Sequence, residues 1–296
     1  MTEILETPVL IVGAGPVGLA LAGDLGWRGR SCIVIEQSDG SIYQPRQDLV
    51  GIRTMEFCRR WGIVGDVEAT PYDRDYPQDN VYIAGSLAEG WEIGRYETPS
   101  MNVSRPPPES PQKRERCPQN MFDPVLGKFA RSFDSVDLRY RHRFVGFEQT
   151  SDGVLVDIEH PEAGERLRIA AQYIVGCDGP GGIVRTALDI GLGGRGVVAD
   201  SLNVFFRSPE LAGVHDKGWA RFYRAIDETC CWSELIAIDG KELWRLTVFD
   251  VQQSPGTAEE QLRRIVGADF PFEIISAMPW ERRDVVADGY GGGRVF

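Results

Sequence analysis

Histidine is scarce in this sequence, and cysteine occurs without any paired spacing. Three histidines lie far apart along the chain, and none of the six cysteines belongs to a Cys-x-x-Cys pair. Protein metal sites usually need several such ligands at short, characteristic spacings. We therefore expect no metal site, and we expect the cysteines to be reduced thiols of a cytoplasmic protein.

The sequence also lacks an excess of basic residues and long apolar segments. Its 32 lysine and arginine residues are outnumbered by 44 acidic residues, which gives a formal net charge of −12. Such a charge repels nucleic acid and anionic membrane surfaces at long range. No uninterrupted apolar run approaches the roughly 20 residues of a membrane-spanning helix. We expect neither nucleic acid nor a membrane as a partner.

A glycine-rich motif follows the first apolar segment. Residues 9–12 are β-favouring, residues 13–18 fit the pattern Gly-x-Gly-x-x-Gly, and a helical stretch comes next. Gly13 permits a tight turn, Gly15 lets the backbone approach a pyrophosphate, and Gly18 lets the helix pack closely on the strand. The helix N-terminus then offers free N–H groups to the phosphates.

An acidic residue ends the second apolar strand. Residues 31–35 are followed by Glu36, about 20 residues beyond the glycines, where an acid binds ribose hydroxyls. A carboxylate there disfavours a 2′-phosphate, so NADP is the least favoured occupant of this site. The combination predicts a dinucleotide-binding α/β fold but leaves FAD and NAD open. The alternative, a glycine-rich turn in another α/β protein, does not explain Glu36.

Three later segments favour FAD. Residues 43–63 resemble the segment PRA-x-G-I-x-x-RTMEI-x-R-x-WGI of FAD-dependent aromatic-ring hydroxylases related to para-hydroxybenzoate and phenol hydroxylase. Residues 173–185 resemble that family's G-A/C-D-G-x-x-S-x-V-R motif, with Gly182 in place of the serine. Residues 116–126 resemble its PQ-x-x-x-E-x-x-L segment, with Asp123 in place of the glutamate. The resemblance covers essentially the whole chain.

The resemblance implies a set of FAD-binding residues. Arg46 matches an arginine that contacts the flavin nucleotide, where a guanidinium can neutralise a pyrophosphate; a solvated loop arginine is the alternative. Asp178 matches an aspartate near the ribityl and pyrophosphate groups, and helix capping is its alternative. The predicted cofactor-binding residues are Gly13, Gly15, Pro16, Gly18, Glu36, Gln37, Arg46, Gln119, Asp178, Gly179 and Arg185.

The resemblance also implies an activity. Members of this family are monooxygenases that use FAD, NADH or NADPH, and O2 to hydroxylate a phenolic or polyketide-like aromatic. Asp48 aligns with an acidic substrate-pocket residue of phenol hydroxylases and is the candidate general base, with a surface-loop aspartate as the alternative. Arg221, Tyr223 and Trp232 are candidate pocket residues, Tyr223 also being a catalytic candidate; packing is the alternative for aromatic residues on strands.

The implied fold is an α/β, Rossmann-like FAD-binding domain of the glutathione-reductase type with an interleaved β-sheet substrate domain. Alternating polar and apolar residues between 136 and 175 predict an antiparallel meander. The expected segments are 1–71 and 116–190 for the FAD-binding domain, 72–115 and 191–280 for the substrate domain, and 281–296 for a strand returning to the FAD-binding domain.

The sequence ends in the segment Gly-Arg-Val-Phe, which in the resembling family leads directly into a third FAD motif, LAGDAAH. This predicts a fragment, a truncated gene product or one half of a split enzyme, with a missing C-terminal half or a second copy as partner. Two alternatives to a working monooxygenase remain: a non-catalytic FAD-binding fragment, and another flavin-dependent oxidoreductase such as a halogenase or dehydrogenase. The halogenase motif Trp-x-Trp-x-Ile is absent, and a dehydrogenase does not explain residues 43–63.

Overall fold

Two large β-sheets organise the chain, with helices packed against each. The computed structural model describes residues 4–160, 162–228 and 230–296, so the first three residues of the expected segment 1–71 lie outside it. The strands are β1 (Ile4–Val12), β2 (Cys32–Glu36), β3 (Leu49–Val50), β4 (Asn80–Ala84), β5 (Trp91–Tyr96), β6 (Glu115–Arg116), β7 (Val136–Tyr140), β8 (Arg143–Gln149), β9 (Val154–His160), β10 (Glu165–Gly176), β11 (Leu192–Arg207), β12 (Phe222–Ile226), β13 (Cys231–Ala237), β14 (Leu243–Val248) and β15 (Glu273–Ala287). The helices are α1 (Pro16–Trp27), α2 (Ile52–Trp61), α3 (Val64–Glu68), α4 (Gln119–Arg131), α5 (Ile183–Ala187) and α6 (Ala258–Val266).

The first sheet has six strands in the order β7-β2-β1-β10-β9-β8. Strand β1 pairs in parallel with both β2 and β10. Its residues Leu10 and Ile11 are fully buried, because both faces of a central parallel strand are covered. The carboxyl ends of β1, β2 and β10 therefore meet at one edge, where open α/β sheets bind ligands.

One part of the predicted meander is wrong. Strands β8, β9 and β10 are antiparallel neighbours, as expected, but β7 pairs in parallel with β2 at the opposite edge of the sheet. The chain reaches β7 through α4, and a helical crossover returns a strand in parallel. Alternation along a strand shows which side chains share a face and does not show which strand is the partner.

The second sheet has seven strands in the order β15-β11-β14-β13-β12-β4-β5. Residues 80–96 supply β4 and β5, although the other five strands come from residues 192–287. Helix α6 begins with a capping box formed by Thr257 and Glu260 and buries Leu262 and Ile265 against one face of this sheet. The α/β fold with an interleaved second sheet is thus confirmed.

The loop at residues 43–48 joins the two sheets. Gln44 Nε2 donates to the carbonyl oxygen of Asn203 at 3.3 Å, and Arg245 Nη1 donates to that of Pro45 at 3.0 Å. Ser276 donates to the carbonyl oxygen of Tyr43 at 3.2 Å. The loop after β2 consequently lies against the face of the second sheet opposite α6. Within the described residues, no helix combines the length and apolar character needed to cross a bilayer.

Candidate functional site

The glycine-rich turn is fixed by contacts that exclude side chains. Gly13 has a φ of 103°, and a Cβ atom there would lie 2.5 Å from the carbonyl oxygen of Cys177. A Cβ atom at Gly18 would lie 1.9 Å from the carbonyl oxygen of Gly13. Both glycines are therefore required by the packing of the protein itself, as the sequence predicted for Gly18.

Gly15 is different, because nothing in the protein fills the space beside it. It is the N-cap of α1 with a φ of −72°, a conformation open to any residue, and no atom lies within 4 Å of a Cβ placed there. The following residue, Pro16, occupies the first helical position, where an N–H is not needed. The first N–H groups of a helix lack intrahelical acceptors. This open, donor-lined space fits a dinucleotide pyrophosphate.

Glu36 binds the backbone of the same turn. Its Oε2 atom accepts from the Ala14 N–H and its Oε1 atom accepts from the Ser38 N–H, both at 2.9 Å. Glu36 is partly exposed at the carboxyl end of β2, so it remains accessible to a ribose. Gln37 is exposed and lines a small cleft of about 200 Å³ together with Arg141 and Glu162.

Asp178 lies beside this turn at the end of β10. A Cβ atom at Gly13 would be 3.0 Å from the Asp178 Cα atom, so the two segments touch. The Asp178 Oδ2 atom accepts from the Val184 N–H at 3.0 Å. This hydrogen bond is the one expected if Asp178 caps the helix that follows. Gly179 has a φ of 81° and forms the turn. Arg185 donates to the carbonyl oxygen of Ile190 at 2.7 Å and so holds the segment that leads into β11.

Arg46 and Gln119 form a second group. The Arg46 side chain is exposed, and its backbone N–H donates to Gln119 Oε1 at 3.0 Å. Gln119 Nε2 donates to Asp123 Oδ2 at 3.1 Å. Gln119, which was expected to touch the flavin, thus ties the loop at residues 43–48 to α4 and fixes the backbone of Arg46.

Asp123 is a buried acid whose Oδ1 atom has no hydrogen-bond partner. Burial raises the pKa of Asp123 to about 6, although the Gln119 hydrogen bond acts against this rise. A folded-state pKa above the unfolded value means that the folded protein holds the proton more tightly. The contribution of Asp123 to the free energy of unfolding is therefore fully present below about pH 4, and it is lost as the pH rises through about 6.

We expect Asp123→Asn to stabilise the protein at pH 8 by roughly 2 kcal/mol, because the amide removes the buried charge. The gain should shrink as the pH falls through about 6 and vanish near about pH 3, where the carboxyl is protonated in both states. Urea unfolding at several pH values measures this difference, with exposed Asp134→Asn as the control variant. A gain independent of pH would contradict the assignment.

The face of the second sheet that contacts the loop at residues 43–48 carries both apolar and charged side chains. In strand register, Phe222 lies opposite Ile236, Ile236 opposite Arg245, and Arg245 opposite Phe205. Directly opposed residues project from the same face. We call these four residues and their next neighbours along the strands, Arg224, Glu234, Thr247 and Asn203, the interdomain face.

Asp48 lies in a buried group of arginines beside the interdomain face. Its carboxylate accepts from Arg116 Nη1 at 3.3 Å and from Arg221 Nη2. Burial acts to raise the pKa of Asp48, but the charges of Arg221, Arg116 and Arg245 together hold this pKa below its ordinary value. A carboxylate held in this way is a weak proton acceptor, so the geometry does not favour the predicted role of general base.

Two of the predicted pocket residues lie on the other side of the sheet. Tyr223 is fully buried in the core beneath α6; its hydroxyl donates to the carbonyl oxygen of Gly218 at 2.6 Å and accepts from the Ala220 N–H at 2.9 Å. Burial is the main reason that its pKa is raised to about 12. Trp232 belongs to the same core, with Arg264 stacked 3.8 Å from its ring centroid. Neither side chain lies on the interdomain face: alternation along β12 directs Tyr223 to the opposite face from Phe222, and Trp232 lies at the irregularity in the β12–β13 register.

A comparison with known proteins decides the family. A family model described as "FAD binding domain" matches residues 6–296. The chain belongs to this FAD-binding family. The predicted cofactor, FAD, is thereby confirmed, in agreement with the open space at Gly15 and the acid at the end of β2.

Similar members of the FAD-binding family include named oxygenases. Tetracenomycin B2 monooxygenase-dioxygenase of Streptomyces olivaceus is 27% identical over 317 residues, which cover 99% of this chain and 57% of that protein. 2,4-Dichlorophenol 6-monooxygenase of Cupriavidus pinatubonensis is 28% identical over 325 residues, which cover 100% of this chain and 51% of that protein. The structure of the rebeccamycin biosynthetic enzyme RebC with reduced flavin has a TM-score of 0.90 at 33% identity, covering 99% of this chain and 55% of that one. The chain thus spans about half the length of the curated relatives it matches.

Sequence reasoning missed two arginines whose charges act on Asp48 in this FAD-binding chain. Arg116 and Arg245 were not singled out, although the structure places both beside Asp48. A signal was present in β14, where Arg245 and Thr247 alternate with the buried Trp244, Leu246 and Val248. Their spacing of two places both polar side chains on one face.

Proposed function

We propose that this chain is the FAD-binding part of a monooxygenase that hydroxylates a phenolic or polyketide-like aromatic with O2 and NADH or NADPH. The observation that carries the proposal is the loop at residues 43–48. It joins the FAD-binding edge of the first sheet to the interdomain face of the second, through Arg245 and Gln44. The names of the relatives, which specify tetracenomycin B2 and a dichlorophenol, support an aromatic substrate.

In this proposal, the first sheet binds the cofactor and the second sheet binds the substrate. The N-terminus of α1 and the space at Gly15 would hold the pyrophosphate of FAD, and Glu36 would hold the ribose. FAD supplies the redox and oxygen chemistry when bound. The apolar residues of the interdomain face, Phe205, Phe222 and Ile236, would orient an aromatic ring and exclude water from it.

Asp48 has a positioning role in this proposal. Its ion pairs hold Arg116 and Arg221 in place between the loop and the second sheet, and its lowered pKa keeps it ionised at neutral pH. We also propose the cytoplasm as the location, since the sequence contains no paired cysteine spacing.

The proposal is tested by titrating the purified chain with FAD and following the visible absorption spectrum, then measuring O2-dependent oxidation of NADH and NADPH with and without phenols. A saturable change in the flavin band and a phenol-stimulated rate would support it. Flavin binding without phenol-stimulated oxidation would favour the alternative that this chain is a non-catalytic FAD-binding fragment. Absence of flavin binding by the folded chain would contradict the proposal.

A further inference from the structure

Strand β5 forms one edge of the second sheet and exposes large apolar side chains. In the described part of the chain it pairs with β4 alone, so its outer N–H and C=O groups lack a strand partner there. Trp91 is 76% exposed, Tyr96 is 69% exposed and Ile93 is 57% exposed. An apolar edge strand of this kind is a template for pairing with a further strand.

A β-bulge at Ile93 decides which side chains of β5 share a face. In the pairing with β4, Gly94 lies opposite Tyr82 and Glu92 lies opposite Ile83, so the register skips Ile93. The extra residue shifts the alternation of side chains by one position. Residues on the two sides of Ile93 therefore share a face when they are an odd number of positions apart.

The bulge places Trp91 and Tyr96 on one face of the sheet, and Glu92 and Arg95 on the other. The pairs across β4 and β5 are Trp91 with Ala84, Tyr96 with Asn80, Glu92 with Ile83, and Arg95 with Val81. Directly opposed residues project from the same face, and residues an even number of positions apart along β4 share a face. The salt bridge between Arg95 Nη2 and Glu92 Oε2, 3.0 Å long, agrees with this placement.

This arrangement permits two copies of β5 to pair about a twofold axis. In an antiparallel pair the axis is perpendicular to the sheet, so that residues brought opposite each other must share a face. A regular strand meets this condition only when one residue lies opposite itself. With the bulge, the axis can pass between Ile93 and Gly94, which brings Trp91 opposite Tyr96 of the second copy and Glu92 opposite Arg95 of the second copy.

The side chains that this register brings together are complementary. Each dimer contains two pairs of Trp91 with Tyr96, and aromatic pairs stabilise neighbouring strands. It also contains two pairs of Glu92 with Arg95, which have opposite charges. Ile93 faces Gly94 of the second copy, which has no side chain to obstruct it.

A cavity beside Trp91 offers further apolar surface to the second copy. It has a volume of about 600 Å³, and its walls include Ala84, Trp91 and Ile226. Ile226 lies opposite Ala84, and Ala84 lies opposite Trp91. These walls therefore belong to the face that also carries Tyr96. A tyrosine ring set against Trp91 removes apolar surface at the mouth of the cavity from water.

We propose that β5 pairs in antiparallel orientation with β5 of a second copy of this chain, which joins two seven-stranded sheets into one. The complementarity of β5 to itself, in both charge and aromatic contacts, selects a second copy as the partner. The opposite edge of the same sheet, β15, is less suited to pairing. It contains Pro279, which has no N–H to donate, and charged side chains at residues 281–284.

The first test is sedimentation velocity of the purified chain at concentrations up to about 100 μM, which should show a reversible monomer–dimer equilibrium. Trp91→Glu should weaken the dimer at least about tenfold, because it replaces both aromatic pairs with a charge against a ring. Trp91 is largely exposed, so the fold should be retained. Trp280→Glu is the matched control, since Trp280 is a half-exposed tryptophan on β15, and it should leave the equilibrium unchanged.

The second test determines the register. Trp91→Cys mixed with Tyr96→Cys under mild oxidation should form a disulfide between the two copies, because directly opposed residues lie within disulfide distance. Peptide mass spectrometry should find position 91 linked to position 96. Either variant alone should not link to its own copy, since positions 91 and 91, or 96 and 96, are out of register.

Three outcomes would overturn the proposal. The first is a chain that stays monomeric throughout the concentration range. The second is a dimer that is weakened by Trp280→Glu and not by Trp91→Glu, which would place the contact at β15. The third is a disulfide that forms as readily with Trp91→Cys alone as in the mixture, because the two copies of β5 would then not pair in this register.

Discussion

Gly15→Val is expected to weaken FAD binding at least about 100-fold, or roughly 2.7 kcal/mol, while leaving the fold intact. The valine methyl groups would occupy the space beside the N-terminus of α1, which no protein atom fills within 4 Å. Because the backbone of Gly15 is extended, with a φ of −72° and a ψ of −177°, a side chain introduces no strain there. Calorimetric titration with FAD measures the affinity, and urea unfolding measures the stability.

Gly51→Val is a closely matched control for this substitution. Gly51 is also a helix N-cap, with a φ of −68° and a ψ of 163° at the start of α2, and its Cβ position is equally open. We expect this variant to bind FAD like the unaltered chain. Unchanged FAD affinity in Gly15→Val would show that the pyrophosphate does not pass Gly15.

Asp48→Asn is expected to destabilise the protein by about 3 kcal/mol at pH 8, because it leaves the buried charges of Arg116 and Arg221 without a counter-ion. The Arg221 side chain is fully buried, and that of Asp48 is 15% exposed. Since the pKa of Asp48 is lowered in the folded state, its contribution is present above the unfolded pKa and is lost as the pH falls through the folded pKa. The difference between the variant and the unaltered chain should therefore shrink in acid.

Urea unfolding at pH 8 and in acid provides this measurement, and the exposed Asp152→Asn is the control. Equal stability of Asp48→Asn and the unaltered chain at pH 8 would show that the arginines do not depend on Asp48. If Asp48→Asn lowered the free energy of unfolding by the same amount in acid as at pH 8, the effect would come from lost packing and not from lost charge.

The proposed FAD-binding edge of the first sheet could be located from the sequence because the residues that form it are close together along the chain. Gly13, Gly15 and Gly18 lie within one turn and the start of one helix; protein contacts exclude a side chain at Gly13 and Gly18, and the space beside Gly15 is open. Glu36 ends a strand whose apolar run is continuous. Parallel strands bring such segments to the same edge of a sheet, so spacing along the chain was sufficient.

The second sheet was less predictable because its contacts are distant in sequence. Asp48 and Arg221 are separated by 173 positions, and no local pattern connects them. For Tyr223 the sequence left a pocket role and packing open, since alternation gives two faces and the packing of α6 decides which one is covered. The parallel pairing of β7 with β2 likewise depends on the crossover through α4.

A crystal structure of this chain with bound FAD is the most direct test of where the cofactor lies. We expect the pyrophosphate within hydrogen-bond distance of the first N–H groups of α1, the adenosine ribose on Glu36, and the flavin ring extending toward the interdomain face. FAD bound away from the Gly13–Gly18 turn, or with its flavin ring directed away from Phe222 and Arg245, would contradict the proposed site.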